Sequence, residues 1–236
     1  MVSPVRYTSG VSTGARGTAL FNYPAPDPTK VYSFFDDFNL YVAADWTVTE
    51  IGVATQALTA DEPFGALLVT NAAADNDGSQ NQLLAETFTL ASGKKAWFQA
   101  RFKVSDATQS DFLIGLAVLD TTLLGATDGA GVTDGVFFSK DDGDTQLDVQ
   151  IQKNATTGQT RATNIATVAT AYLIVGWEYD GVASLKYFVD GVHKGTLAVS
   201  SANLPDTPIT VSFALLNGEA VAKTMTVDYV FAAIER

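Results

Sequence analysis

Between Tyr172 and Val199 the chain reads YLIVGWEYDGVASLKYFVDGVHKGTLAV, three apolar stretches punctuated by two Asp-Gly pairs. Leu173, Val175, Trp177 and Tyr179 alternate with other residues, as do Leu185, Tyr187 and Val189 after the first pair. A period of two places these side chains on one face of an extended strand. Glycine accepts a positive φ without a Cβ clash, so each Asp-Gly predicts a hairpin turn. The run therefore predicts an antiparallel β architecture, and nothing in it is catalytic chemistry.

The same alternation recurs along the chain. Ala96, Phe98, Ala100, Phe102 and Val104 are expected inward and Trp97, Gln99, Arg101 and Lys103 outward. Leu147, Val149 and Ile151 alternate with Gln146, Asp148, Gln150 and Gln152, and Ile209, Val211, Phe213 and Leu215 share a phase. A final set, Met225, Val227, Tyr229 and Phe231, is read as one inward face. Residues 111–120, DFLIGLAVLD, are continuously apolar, which predicts a central strand covered on both sides. Weaker strands are expected at Tyr32–Phe35, Trp46–Ile51, Phe64–Thr70 and Leu83–Leu90, making about a dozen, the spacing of a sandwich. No amphipathic helix is evident. The long Gly- and Asp-rich loops, Asn71–Asn81 and Thr121–Asp134, are where binding residues would sit.

Residues 1–30 differ in character. They are rich in Gly, Ser, Thr and Pro, with prolines at 24, 26 and 28, and are expected to form an extended arm before a domain spanning 31–236. Arg6, Arg16 and Lys30 stand there against Asp27, whereas the whole chain carries a net charge of −12. A cationic arm on an acidic body suits an acidic partner, with Leu20, Phe21 and Tyr23 as apolar anchors. The acidic total argues against nucleic acid or an anionic membrane as partner. There is no cysteine, which excludes disulfides, thiolate metal sites and a Cys nucleophile. The N-terminus shows no apolar signal segment, so folding in a cytoplasm, or removal of a leader, is expected.

Five segments taken in order carry a resemblance: FFDDFN at Phe34, WFQARFKV at Trp97, FFSKDDGDTQLDVQIQ at Phe137, the VGWEYDG and LKYFVDGV pair from Val175, and MTVDYVFAAI at Met225. Together they resemble the concanavalin A-like lectin/glucanase family of jelly rolls, which includes laminin-G-like modules. The resemblance implies an all-β antiparallel sandwich over residues 31–236 in which the last strand returns beside the first, bringing Phe34 and Tyr229 into neighbouring strands. With its Gly/Ser/Thr/Pro-rich leader, the chain also resembles capsid decoration or cement proteins of tailed phages. That likeness implies a non-enzymatic virion protein made in the host cytoplasm, a dimer or trimer on the capsid surface, whose arm (Arg6, Arg16, Leu20, Phe21, Tyr23) and body bind the major capsid protein. The alternative is a glycan-binding, lectin-like module of a phage tail or adhesion apparatus.

Catalytic patterns are incomplete. Jelly-roll glucanases supply paired carboxylates from a Glu-x-Asp-x-x-Glu type strand. The matching stretch here places Gln146, Gln150 and Gln152 around Asp148, which alone can titrate. Alginate-lyase-like jelly rolls carry Gln-Ile-His where this chain has Gln150-Ile151-Gln152, and the single histidine, His193, reads as an exposed turn residue. No Gly-x-Ser-x-Gly elbow or phosphate loop is present. No enzyme activity and no cofactor are expected. Weak calcium candidates are Asp75 and Asp77 in one turn and Asp141, Asp142 and Asp144 in another, although Asp-Gly turns need no ion. For glycan the candidates are Trp97 and Arg101 as an outward stacking platform, with burial of Trp97 under a covering layer as the competing reading.

Overall fold

The computed structural model describes residues 28–60, 62–124, 131–155 and 159–236. Fifteen strands run in chain order as β1 (Val31–Asp36), β2 (Trp46–Ile51), β3 (Ala54–Leu58), β4 (Leu67–Asn71), β5 (Gly78–Leu83), β6 (Ala96–Val104), β7 (Ser110–Ala117), β8 (Gly135–Lys140), β9 (Gln146–Gln152), β10 (Thr160–Thr167), β11 (Leu173–Tyr179), β12 (Ser184–Val189), β13 (Val192–Ala198), β14 (Thr210–Asn217) and β15 (Thr224–Glu235). All pairings between them are antiparallel. One sheet, here the hairpin sheet, has the order β13-β12-β11-β6-β15-β4-β3, with β1 also on β15. The other, the covered sheet, has the order β10-β9-β8-β7-β14-β5-β2.

The opening hairpins form as their turn chemistry requires. Gly181 and Gly191 sit at φ of +79° and +73°, and Asp180 caps its turn by accepting the backbone N–H groups of Val182, Ala183 and Ser184. The inward-phase residues of both sheets meet in one core. Phe98 stacks on Trp177, Phe102 meets Phe112 edge-on at 5.1 Å across the sandwich, and Trp46 meets Phe213 at 5.2 Å. Aromatic pairs at such offsets add specific attraction to their large buried area. β1 lies against β15, with Phe34 opposite Ala232, so the first and last strands are neighbours as the resemblance implies.

Three expectations change. The strand expected at Leu83–Leu90 lies earlier, at Gly78–Leu83, overlapping the expected Asn71–Asn81 loop; beyond it Phe88 bridges to Ile209. Its sequence, GSQNQL, is polar on both faces, so alternation gives no signal. Second, β3 and β10 join the sheets at their margins, also from polar-rich text. Third, β15 does not keep one phase. A bulge between Val227 and Tyr229 leaves Met225 and Val227 inward but turns Tyr229 and Phe231 outward, opposite Arg101 and Gln99. One extra residue reverses every later side chain of a strand.

Candidate functional site

The outer surface of the covered sheet is where the Gln146–Gln152 strand presents its polar phase. Asp148 is 5% exposed there and is fully engaged. Arg161 binds its Oδ2 through both Nη2 and Nε, and the backbone N–H of Asn164 donates to Oδ1 at 2.7 Å. Asn164 has a φ of +58° within the β9–β10 irregularity, so Asp148 pins a bulged edge strand.

The same face is roofed by the β7–β8 connection. Leu123, Leu124 and Val132 pack on Leu113, Ala117, Phe137 and Ala214 in a second apolar cluster. Glutamine side chains fix the roof. Gln80 donates to the carbonyl of Thr121 at 2.6 Å and accepts from the N–H of Leu123. Gln82 donates to the carbonyl of Val118 and to Ser212 Oγ, both at 2.9 Å, and accepts from Asp120 N–H at 3.0 Å. Gln152 donates to the carbonyl of Val132, and Gln150 to Ser139 Oγ at 3.3 Å. An amide offers a donor and an acceptor like the peptide group it faces, whereas a carboxylate only accepts. The expected long loop is thus real, and its described part covers a face.

The acidic turns have local roles. Asp77 accepts from Ala74 N–H at 3.3 Å, and Asp144 Oδ1 accepts from Gln146 N–H at 3.0 Å. The Asp141–Asp144 turn holds a cation of its own: Lys140, 0% exposed, donates to the carbonyls of Thr108 (3.2 Å), Asp141 (2.7 Å) and Asp144 (2.9 Å). Burial lowers the Lys140 pKa, opposed by the charges of Asp111, Asp144, Asp142 and Asp106. Among the described residues no three His, Asp or Glu side chains converge as a metal site requires.

The outer surface of the hairpin sheet is different. It holds a hollow of about 230 Å³ whose walls include Trp97, Gln99, Ile174, Glu178, Phe188 and Phe231. Its floor is Gly176, opposite Phe188 on one side and Gln99 on the other. A Cβ at Gly176 would stand 2.9 Å from the carbonyl oxygen of Phe98, so the absent side chain both relieves the backbone and opens the hollow. Trp97 is half-buried on this wall, so the covered-Trp reading is set aside. Arg101 does not join it. Two positions further along the outward phase, about 13 Å by strand rise, it lies over the Tyr172 ring at 3.8 Å and pairs with Asp228 at 2.5 Å. Burial, with the hydrogen bond to Glu62, pushes the Tyr172 hydroxyl up to about 12. His193 is exposed at the start of β13 rather than in the turn, with its ring 5.4 Å from that of Phe188. Arg6, Arg16, Leu20, Phe21 and Tyr23 lie outside the described residues.

Gly176, Phe188, Phe231 and Phe35 are absent from the sequence-based candidates. A lone glycine inside a strand and a phenylalanine out of phase with Tyr187 and Val189 were the available signals for the first two. For Phe231 the bulge at Asp228 concealed the outward aim.

No family model matches the sequence, and a search of curated proteins found no match. Solved structures do match. A protein of unknown function from Shewanella oneidensis MR-1 superposes with a TM-score of 0.63 at 13% identity, covering 99% of this chain and 97% of that one. The fold is concanavalin A-like. Peanut lectin gives a TM-score of 0.58 at 13% identity over 87% of this chain and 97% of its own. An endo-1,3-beta-glucanase from Streptomyces sioyaensis gives 0.59 at 14% over 90% and 99%. At such identity the likeness establishes the fold, which lectins and glucanases share, and leaves activity to the site.

Proposed function

We propose that this chain is a non-catalytic carbohydrate-binding sandwich that holds sugar on the outer surface of the hairpin sheet. The observation that carries the reading is the hollow over Gly176, with Trp97, Phe188 and Phe231 as aromatic walls and Gln99 and Glu178 as hydrogen-bonding groups. A pyranose presents C–H groups on its ring faces and hydroxyls at its rim. Aromatic faces are electron-rich and suit the former, while amide and carboxylate suit the latter.

The non-catalytic part rests on the covered sheet. Its outer face is roofed, glutamines occupy the positions around Asp148, and Asp148 is committed to Arg161 and Asn164. A glycosidase needs two carboxyl groups flanking a bond in an open cleft. The capsid reading drew on the arm at residues 1–30, of which 1–27 lie outside the described residues, together with the body, and no similar structure named above points to a capsid.

Electrophoresis of the full chain through native gels containing neutral glucans tests the reading. Retardation that persists in chelator, without release of reducing sugar, is the expected result. Absence of retardation by every glucan would overturn it, as would sugar release abolished by Asp148→Asn.

A further inference from the structure

Building on that reading, we infer that the ligand is an internal stretch of an uncharged, extended polysaccharide lying across the strands, rather than a terminal sugar. The strand registers place one continuous row on the outer surface: His193 opposite Phe188, then Gly176, Gln99, Phe231 and Phe35. It crosses β13, β12, β11, β6, β15 and β1, and five interstrand spacings make it about 24 Å long. A single sugar would fill the hollow at Gly176 and leave both shoulders bare. Those shoulders are aromatic: His193 beyond the Phe188 wall at one end, and Phe35 beyond the Phe231 wall at the other, with Tyr229 6.2 Å from Phe35. Phe35 is 60% exposed, a large apolar ring for which the core has no use.

Among the described residues both ends of the row are open. Among the described residues β13 pairs only with β12, and β1 only with β15, so at this level each is an edge of the described sheet and a polymer can run past either side. Charge selects against a polyanion. Glu178 stands opposite Lys186 across the β11–β12 pair, and Arg101 is matched by Asp228, so the charges beside the row oppose one another on a chain of net charge −12. The bulge at Asp228 acquires a role here, since without it Phe231 would point into the core. β-1,4-linked glucose, whose equatorial substituents leave both ring faces as C–H, is the chemistry that fits a flat aromatic row.

The test is calorimetric titration of the full chain with β-1,4-linked glucose oligomers, from monosaccharide to hexasaccharide, for the wild type and Phe35→Ala. Affinity is expected to rise about tenfold or more between disaccharide and pentasaccharide, as adjoining contacts engage together. Phe35→Ala should weaken the hexasaccharide about fivefold, leaving the disaccharide and the melting temperature unchanged. Equal affinity for all lengths, with binding still lost in Trp97→Ala, would overturn the extended ligand and leave a sugar site standing. No binding of any oligomer would remove both. Concentration-dependent dimers that Phe35→Ala dissolves would assign the face to a second copy of the chain and overturn the inference.

Discussion

Trp97→Ala is expected to weaken glucan binding about thirtyfold, roughly 2 kcal/mol, the scale of a central aromatic anchor, while the folded state loses less than about 1 kcal/mol. The asymmetry follows from position. Trp97 points away from the core, on the wall of the hollow, whereas its neighbours Ala96 and Phe98 are 1% and 2% exposed and carry the packing. Paired measurements on one preparation, affinity by calorimetry and stability by urea unfolding, separate the two effects. Phe98→Ala should show the reverse pattern, unfolding at much lower urea because a buried aromatic leaves a cavity. Equal loss of affinity and stability in Trp97→Ala would mean that the ring is structural and that the site lies elsewhere.

The largest stability effect outside the apolar core is expected at Lys140. Lys140→Met keeps most of the aliphatic stem but removes the ammonium that joins the carbonyls of Thr108, Asp141 and Asp144. An ammonium has three donors, and here three backbone acceptors use them. Its loss takes that donor from the carbonyls of Asp141 and Asp144 and leaves the Gly143 N–H, 2.8 Å from the Thr108 carbonyl, as the remaining tie between the β6–β7 and β8–β9 turns, a cost of about 2 kcal/mol. The urea midpoint should fall accordingly, with glucan affinity unchanged, because the hollow is built from other strands. A midpoint unchanged within error would mean that the three carbonyls are satisfied without the ammonium. Two of the acidic turn's own carbonyls, those of Asp141 and Asp144, already face a tethered cation.

Most of the fold was legible because strands with one buried face announce their period. Leu173 to Tyr179, Ala96 to Val104 and Ile209 to Leu215 all point where alternation places them. Residues 111–120 were legible too, since a strand covered on both faces must be apolar throughout, and β7 is buried along its whole length. β5 was hidden by composition. Its outward Gln80 and Gln82 are buried by hydrogen bonding to a roof that is distant in sequence, which no local pattern encodes. The candidate site was only half legible. Trp97 stood out as an aromatic in the polar phase, but Tyr229 and Phe231 were assigned to the core because a single bulged residue, Asp228, reverses their phase. Gly176 showed only as a missing side chain, and what an absence makes room for depends on neighbours from β6, β12 and β15.

Which of the two outer surfaces meets the sugar is the central claim, and nitrogen-15 NMR of the full chain titrated with β-1,4-linked glucose hexasaccharide reads it directly. Trp46 and Trp177 are 6% and 2% exposed, so of the three indoles that of Trp97 is the one left partly exposed to a ligand. The account predicts shifts confined to the Trp97 indole N–H, the Gln99 side-chain amide and the backbone of Gly176 and its row. Shifts of the Gln80, Gln82, Gln150 and Gln152 amides with Trp97 unmoved would place the sugar under the roof of the covered sheet and contradict it.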